Sequence, residues 1–286
     1  MEVAENIFRW SSCPLCRSQE IHFIGQLKYN NPVLFSSHRI DTTEKPELWK
    51  CNSCCSWYAN NILPEKTAAN LYKRGISSDR WLQAPLEEGK SKEIIRILSD
   101  IFTKGKKVLD IGCNTGEVLD FAKNKGCITS GVEFSSDCHN QLMEKGHHCF
   151  SDLKEVNSKY DVIIAFDIIE HMYDLPLFLD TCRNKLSDDG TLVILTGDIN
   201  SLCARLCKSK WWYVNFPEHI VFPSKKYFHN LAGLKVTKWI DTYASLNYRQ
   251  PVPVIIKGLF NGIYRGNYRG LPSIGPDHVL VCLNKI

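Results

Sequence analysis

Apolar residues change their period partway along the 286-residue chain, near position 107. Residues 1–60 have a short-strand texture, as in Ile21-His22-Phe23-Ile24 and Val33-Leu34-Phe35, and hold no long helical period. Residues 61–106 read as connecting helices. The clearest runs from Leu86 to Phe102, with Ile94, Ile95, Leu98, Ile101 and Phe102 at helical spacing and Gly105 as a stop. From Lys107 strands and helices alternate. Val108-Leu109-Asp110 is a buried strand, and Gly116–Lys125 a helix stopped by Gly126. Ile128–Glu133 is the next strand, then a helix over Ser135–Lys145 stopped by Gly146, then a short strand to Phe150. Asp161–Phe166 is a fully buried strand, Leu175–Leu186 a helix, and Asp189-Gly190 turns into strand Thr191–Leu195. Short helices near Ser201–Lys208 and Ser224–Leu231 precede strands Lys235–Tyr243 and Asp277–Leu283. This beat predicts an α/β fold with a doubly wound, mostly parallel sheet.

Composition narrows the class. With 44% hydrophobic and 23% charged residues the chain reads as globular, and no apolar run reaches the length of a spanning helix. The start, Met1-Glu2-Val3-Ala4-Glu5, lacks the apolar region of a secretory signal, so the expected location is cytoplasmic. Thirteen cysteines then read as thiols or metal ligands. The net charge of +4 is uneven: residues 201–286 hold twelve Lys/Arg against Glu218, Asp241 and Asp277. Such a basic end can meet an anionic partner or be solvated surface.

Candidate chemistry begins at Asp110-Ile111-Gly112-Cys113-Asn114-Thr115-Gly116, between a buried strand and a helix, where α/β sheets place ligands. A dinucleotide fingerprint needs glycine at 112, 114 and 117, and the chain offers Gly112, Asn114 and Glu117. Asp110 and Glu117 would also repel a pyrophosphate. An acidic turn suits a cofactor with cationic groups. Glu133 ends the second strand as a ribose-hydroxyl acceptor would, and Asp152 follows the third, placed for an exocyclic amine.

These residues, with Gly131-Val132-Glu133-Phe134, Tyr160-Asp161-Val162-Ile163, Asp167-Ile168-Ile169-Glu170-His171-Met172 and Leu186–Leu192, resemble the class I S-adenosylmethionine-dependent methyltransferases over roughly 86–243 and 277–286. The resemblance implies a seven-stranded sheet with its last strand antiparallel. It implies that Asp110, Gly112, Asn114 and Gly116 hold the methionine moiety, Glu133 the ribose and Asp152 the adenine, with Phe134, Leu153 and Asp167 completing the cofactor set. Asn114 departs from the family's usual glycine.

Glu170-His171 follows the fourth strand of that series. Methyl transfer needs alignment, exclusion of water and a base for the acceptor proton, and a neutral histidine suits the last role. The pair resembles the Glu-His of sugar methyltransferases, where it does acid–base work, and of ubiquinone-pathway O-methyltransferases, where nearby groups can hold a divalent metal. Phe216-Pro217-Glu218-His219-Ile220-Val221-Phe222 resembles the acceptor-side segment of the sugar branch. That makes His219 a second base or substrate ligand, or else a loop histidine packed on Trp211, Trp212 and Tyr213.

Cys13-Pro14-Leu15-Cys16 and Cys51-Asn52-Ser53-Cys54 are two knuckles that together complete a four-thiolate structural zinc site, with Cys55 as an alternative ligand. The other cysteines read as buried small hydrophobes. A four-cysteine module before such a domain resembles the deoxysugar C-methyltransferases, which carry a further C-terminal domain not found in these residues; O- or N-methylation therefore stays open. The expected organisation is a zinc module over 1–60, a helical connector over 61–106 and a methyltransferase domain over 107–286. An insertion at 245–276 holds Arg249, Lys257, Arg265 and Arg269 among apolar residues. It reads as an acceptor lid, a packed insertion or a membrane-surface contact. The expected function is methylation of a saccharide-type or other small acceptor, nucleotide- or lipid-linked, with His171 as base. The alternatives are an RNA-modifying methyltransferase and a non-catalytic S-adenosylmethionine-binding scaffold.

Overall fold

Strands from residues 107 onward build the central sheet of the computed structural model, which describes residues 2–4, 7–27, 29, 32–42, 44–74, 86, 90–243, 256, 260 and 275–286. The lid expected at 245–276 and the first turns of the helix expected from Leu86 lie almost wholly outside these residues.

Six strands come first: β1 (Glu2–Ala4), β2 (Ile21–Gln26), β3 (Val33–Phe35), β4 (His38–Thr42), β5 (Glu47–Cys51) and β6 (Trp57–Asn60). Helices α1 (Glu65–Arg74) and α2 (Lys92–Ile101) follow. Ser91 caps α2, accepting from Ile94 N at 3.4 Å, and Ile94, Ile97 and Leu98 form its buried stripe.

The α/β region then alternates β7 (Lys107–Ile111), α3 (Glu117–Asn124), β8 (Ile128–Val132), α4 (Ser136–Glu144), β9 (His148–Phe150), β10 (Tyr160–Phe166), α5 (Leu175–Lys185) and β11 (Leu186–Gly197). Gly126 and Gly146, at φ +82° and +77°, stop α3 and α4 as the sequence signals. Asp174 caps α5, accepting from Leu177 N at 3.1 Å, with Pro176 in the first turn where no intrahelical donor is lost. After α6 (Leu202–Cys207), β12 (Val221–Phe222) and α7 (Lys225–His229), strands β13 (Leu234–Thr242) and β14 (His278–Lys285) finish the sheet.

The order is β13-β14-β11-β10-β7-β8-β9, and only the pairings of β14 are antiparallel. It is the expected seven-stranded, doubly wound sheet. Both faces of the central strands are covered, so a stretch such as Val162–Ala165 is continuously buried rather than alternating, while the edge strand β13 keeps Lys235 and Lys238 exposed. Val108, Val162, Ile164, Val193 and Leu195 pack under α2 and α3. Leu109, Ile163, Ala165, Leu192 and Ile194 pack under α5 and α7. Strand order reverses between the parallel neighbours β7 and β10, which opens a crevice at their carboxyl ends.

The N-terminal strands form two smaller sheets, β1-β4-β3 and β12-β6-β5-β2. The second includes a piece of the α/β region, because Val221 pairs with Tyr58 and Phe222 with Trp57. Among the described residues no helix is long and apolar enough to cross a membrane.

Candidate functional site

The turn after β7 is built to bring backbone close to a ligand. Gly112 and Gly116 have φ of +72° and +91°, and a Cβ on Gly112 would stand 2.1 Å from Ile168 Cδ1. Asn114 takes φ +46°, the left-handed region asparagine tolerates best after glycine. That explains how the chain departs from a glycine there. Asp167, just past β10, is also left-handed at φ +54°. Two strained non-glycine residues thus flank the switch point, where strain tends to mark function.

Glu133 organises this turn from β8. Its two oxygens accept from Asn114 N and Ser135 N, each at 2.9 Å. Burial raises its pKa, and burial with Glu117 and Glu133 nearby holds Asp110 well above the usual carboxylate range. Among the described residues acidic groups outweigh cations around Asp110, with Lys90 the opposing charge. Asp152 follows β9 partly exposed, its Oδ1 accepting from Lys154 N at 2.9 Å, with Leu153 beside it. Phe134 is 49% exposed, an aromatic face open to a ligand.

Across the crevice, Glu170 is fully buried and accepts from the hydroxyls of Tyr213 and, at 3.1 Å, Thr196. Burial, then the nearby Asp167, push its pKa up to about 8, so it carries a proton at neutral pH. Its oxygens serve Tyr213 and Thr196.

His171 Nδ1 lies 2.9 Å from the Glu218 carbonyl and 3.0 Å from the Tyr72 hydroxyl. A carbonyl only accepts, so the network assigns the hydrogen to Nδ1 and leaves a lone pair on Nε2. His219 is held alike, its Nδ1 donating to Tyr213 O at 2.6 Å. The rings stand edge to face with centroids 4.9 Å apart. Burial lowers both pKa values, that of His219 to about 3 with the help of His171, so both imidazoles are neutral at pH 7. Ligand atoms of Glu170, His171 and His219 lie within 4.8 Å of one another, a spacing that could hold a cation.

The packing expected of His219 is present too: its ring meets Tyr213 at 4.5 Å. Sequence reading missed Tyr72, which arrives from α1, and the Asp277-His278 pair at the head of β14. His278 is buried against Trp212 and Tyr213, at centroid distances of 5.6 and 4.8 Å. It pairs with Gly197 at the end of β11, on the crevice edge of the sheet. The available signal was a dipeptide of ionisable residues opening an otherwise apolar strand.

The four knuckle cysteines converge, with sulfurs within 4.8 Å of one another. Cys13–Cys54 and Cys16–Cys51 stand at 3.7 and 3.5 Å, all four unbridged. Four sulfurs about 2.3 Å from one zinc ion would lie about 3.8 Å apart, so the set fits a tetrahedral metal. Cys55 falls outside it, directed to Asn52 O at 3.8 Å. The knuckles are tied to the crevice: Ser224 donates its hydroxyl to Cys54 O and its N–H to Ser56 Oγ, while Ala59 N bonds Ile220 O and Ile220 N bonds Glu170 O.

A family model described as "Methyltransferase domain" matches residues 82–237. A ubiquinone biosynthesis O-methyltransferase of Glaesserella parasuis serovar 5 is 29% identical over 111 residues, 32% of this chain and 45% of that protein. A sphingolipid C9-methyltransferase of Candida albicans is 29% identical over 145 residues, 43% of this chain and 28% of that one. The match thus spans less than half the length of these curated relatives. Among solved structures, magnesium protoporphyrin IX methyltransferase of Synechocystis PCC 6803 with bound S-adenosylmethionine aligns at TM-score 0.45 and 11% identity, covering 68% of this chain and 77% of that one.

Proposed function

The chain belongs to the methyltransferase-domain family, and from that premise we propose that it transfers a methyl group from S-adenosylmethionine to a saccharide-type or other small acceptor. The residues fit the cofactor. Gly112 and Gly116 keep the turn after β7 open at positive φ. Buried Asp110, with Glu133 nearby, suits a molecule bearing ammonium and sulfonium charge. Asp110, Gly112, Asn114, Gly116 and Asp167 would hold the methionine end, Glu133 the ribose, and Asp152, Leu153 and Phe134 the adenine. When bound, the cofactor supplies a methyl group activated by its positive sulfur.

The observation that carries the reading is the pair of neutral imidazoles beside this turn. Each Nδ1 is fixed by a backbone carbonyl, which leaves the lone pair on Nε2. His171 Nε2 takes the acceptor's proton as its heteroatom is methylated, and His219, kept neutral by burial, offers its Nε2 to the acceptor as a hydrogen-bond acceptor. Glu170 positions Tyr213, whose carbonyl fixes His219. Cys13, Cys16, Cys51 and Cys54 hold one structural zinc ion, which braces β6 and through it the Ile220 segment.

The test incubates purified protein and S-adenosylmethionine with a panel of nucleotide-linked sugars and small hydroxylated or amino metabolites, following S-adenosylhomocysteine and methylated product by mass spectrometry. Acceptor-dependent product is expected. His171→Asn, which keeps a donor for Glu218 O and lacks Nε2, should lose about 10²–10⁴-fold in kcat. Tight S-adenosylhomocysteine binding with no acceptor methylated would make the protein a binding scaffold instead.

A further inference from the structure

We infer that Lys90 is the crevice's own counter-cation and sets how strongly the site distinguishes charged S-adenosylmethionine from neutral S-adenosylhomocysteine; this rests on the cofactor reading above. The ammonium of Lys90 lies 3.2 Å from Asp167 Oδ2 and 5.7 Å from the Phe166 ring centroid. The side chain is 22% exposed, so water screens the charge only in part. Its field also reaches Asp110, where it opposes the effects of burial, Glu117 and Glu133.

Position, not chance contact, puts the charge there. Lys90 N bonds Leu86 O at 2.9 Å, and Ser91, the next residue, caps α2 and meets Thr242 Oγ1 at 2.6 Å. The backbone is thereby held between α2 and the end of β13. From it the side chain reaches the carboxyl end of β10, where Asp167 is held by its N–H to Leu195 O at 2.9 Å.

A fixed cation at this place acts unequally on the two forms of the cofactor. Both bring the same ammonium and carboxylate, but only S-adenosylmethionine adds a sulfonium. Lys90 neutralises acids that would otherwise attract that charge, and it repels the sulfonium directly. In transfer, an acceptor lone pair forms the new bond to the methyl carbon. The S–C bond breaks with its electrons kept by sulfur, and the acceptor's proton passes to the histidine base. Positive charge therefore leaves the sulfur as the reaction proceeds. Lys90 disfavours the charged reactant and not the state losing that charge, which is differential binding of the kind that raises turnover.

Titration calorimetry with S-adenosylmethionine and S-adenosylhomocysteine tests this without any acceptor. Lys90→Met should tighten S-adenosylmethionine by about tenfold and leave S-adenosylhomocysteine within about twofold. Lys90→Arg, which keeps the charge, should retain the wild-type ratio. If both ligands shift together in Lys90→Met, or the ratio stays at its wild-type value, Lys90 is only a structural ion pair and the inference is overturned. If neither ligand binds the wild-type protein, the cofactor reading itself fails and takes this one with it.

Discussion

His278 donates its Nδ1 hydrogen to Asp277 Oδ1 across 2.9 Å, while its Nε2 is buried and meets no hydrogen-bond partner among the described residues. Trp212 Nε1 donates to the other oxygen of Asp277. One buried carboxylate thus satisfies a buried donor and a half-buried one and fixes the imidazole's tautomer. Asp277→Ala would strand both, so unfolding free energy in urea should fall by about 3 kcal/mol. A loss below about 0.5 kcal/mol would show that the carboxylate is not holding them.

Glu133 has work to do before any ligand arrives, because Asn114 N and Ser135 N both use its oxygens. Glu133→Ala removes the proposed ribose acceptor and loosens the turn together. Affinity for S-adenosylhomocysteine should weaken by about 1–3 kcal/mol, roughly 5- to 150-fold. Unchanged calorimetric affinity in Glu133→Ala combined with Asp110→Ala would overturn the placement of the cofactor.

Much of this was legible because its signals are local. Apolar runs such as Val162–Ala165, with glycines closing α3 and α4, reveal the sheet and its carboxyl edge without any long-range knowledge. The knuckle spacing likewise points to Cys13, Cys16, Cys51 and Cys54. What escaped depends on tertiary contact. Tyr72 reaches His171 across 99 positions, and Val221 pairs with Tyr58; no periodicity announces either. Glu170 and His171 are adjacent in sequence, yet the Glu170 carboxyl group faces Thr196 and Tyr213. Side-chain direction, invisible in a motif, separates their roles.

Because β12 joins β6 and Ser224 bonds Cys54 O, losing metal should disturb more than the first strands. Freshly purified protein is expected to hold about one zinc per chain. Cys13→Ser with Cys16→Ser, or exhaustive chelation, should lower Tm and shift the NMR signals of the His219 ring. Zinc-free protein with wild-type Tm, or a disulfide between the knuckles, would end the zinc assignment.

The buried Glu170 carries a pH signature whose sign is fixed. Its pKa is raised to about 8 in the folded protein, chiefly by burial, while in the unfolded chain it ionises near the ordinary value of about 4.3. Between those values the folded state holds a proton that the unfolded state has released, so stability falls as pH rises through this window and levels off above it. The contribution is about 1.4 kcal/mol per pH unit across the middle of the window. His171 and His219 act oppositely on the acid side: their lowered pKa values mean that the unfolded chain takes up protons first as pH drops below about 6.5. Glu170→Gln isolates the first effect, since its amide oxygen can still accept from Tyr213 while nothing titrates. Unfolding free energies measured from pH 5 to 8 should therefore decline less steeply in Glu170→Gln than in wild type, by close to one proton's worth of slope. Parallel profiles would mean that Glu170 is ionised in the folded protein, and the site would then hold a buried anion beside two neutral imidazoles, a set of ligands fit for a divalent cation.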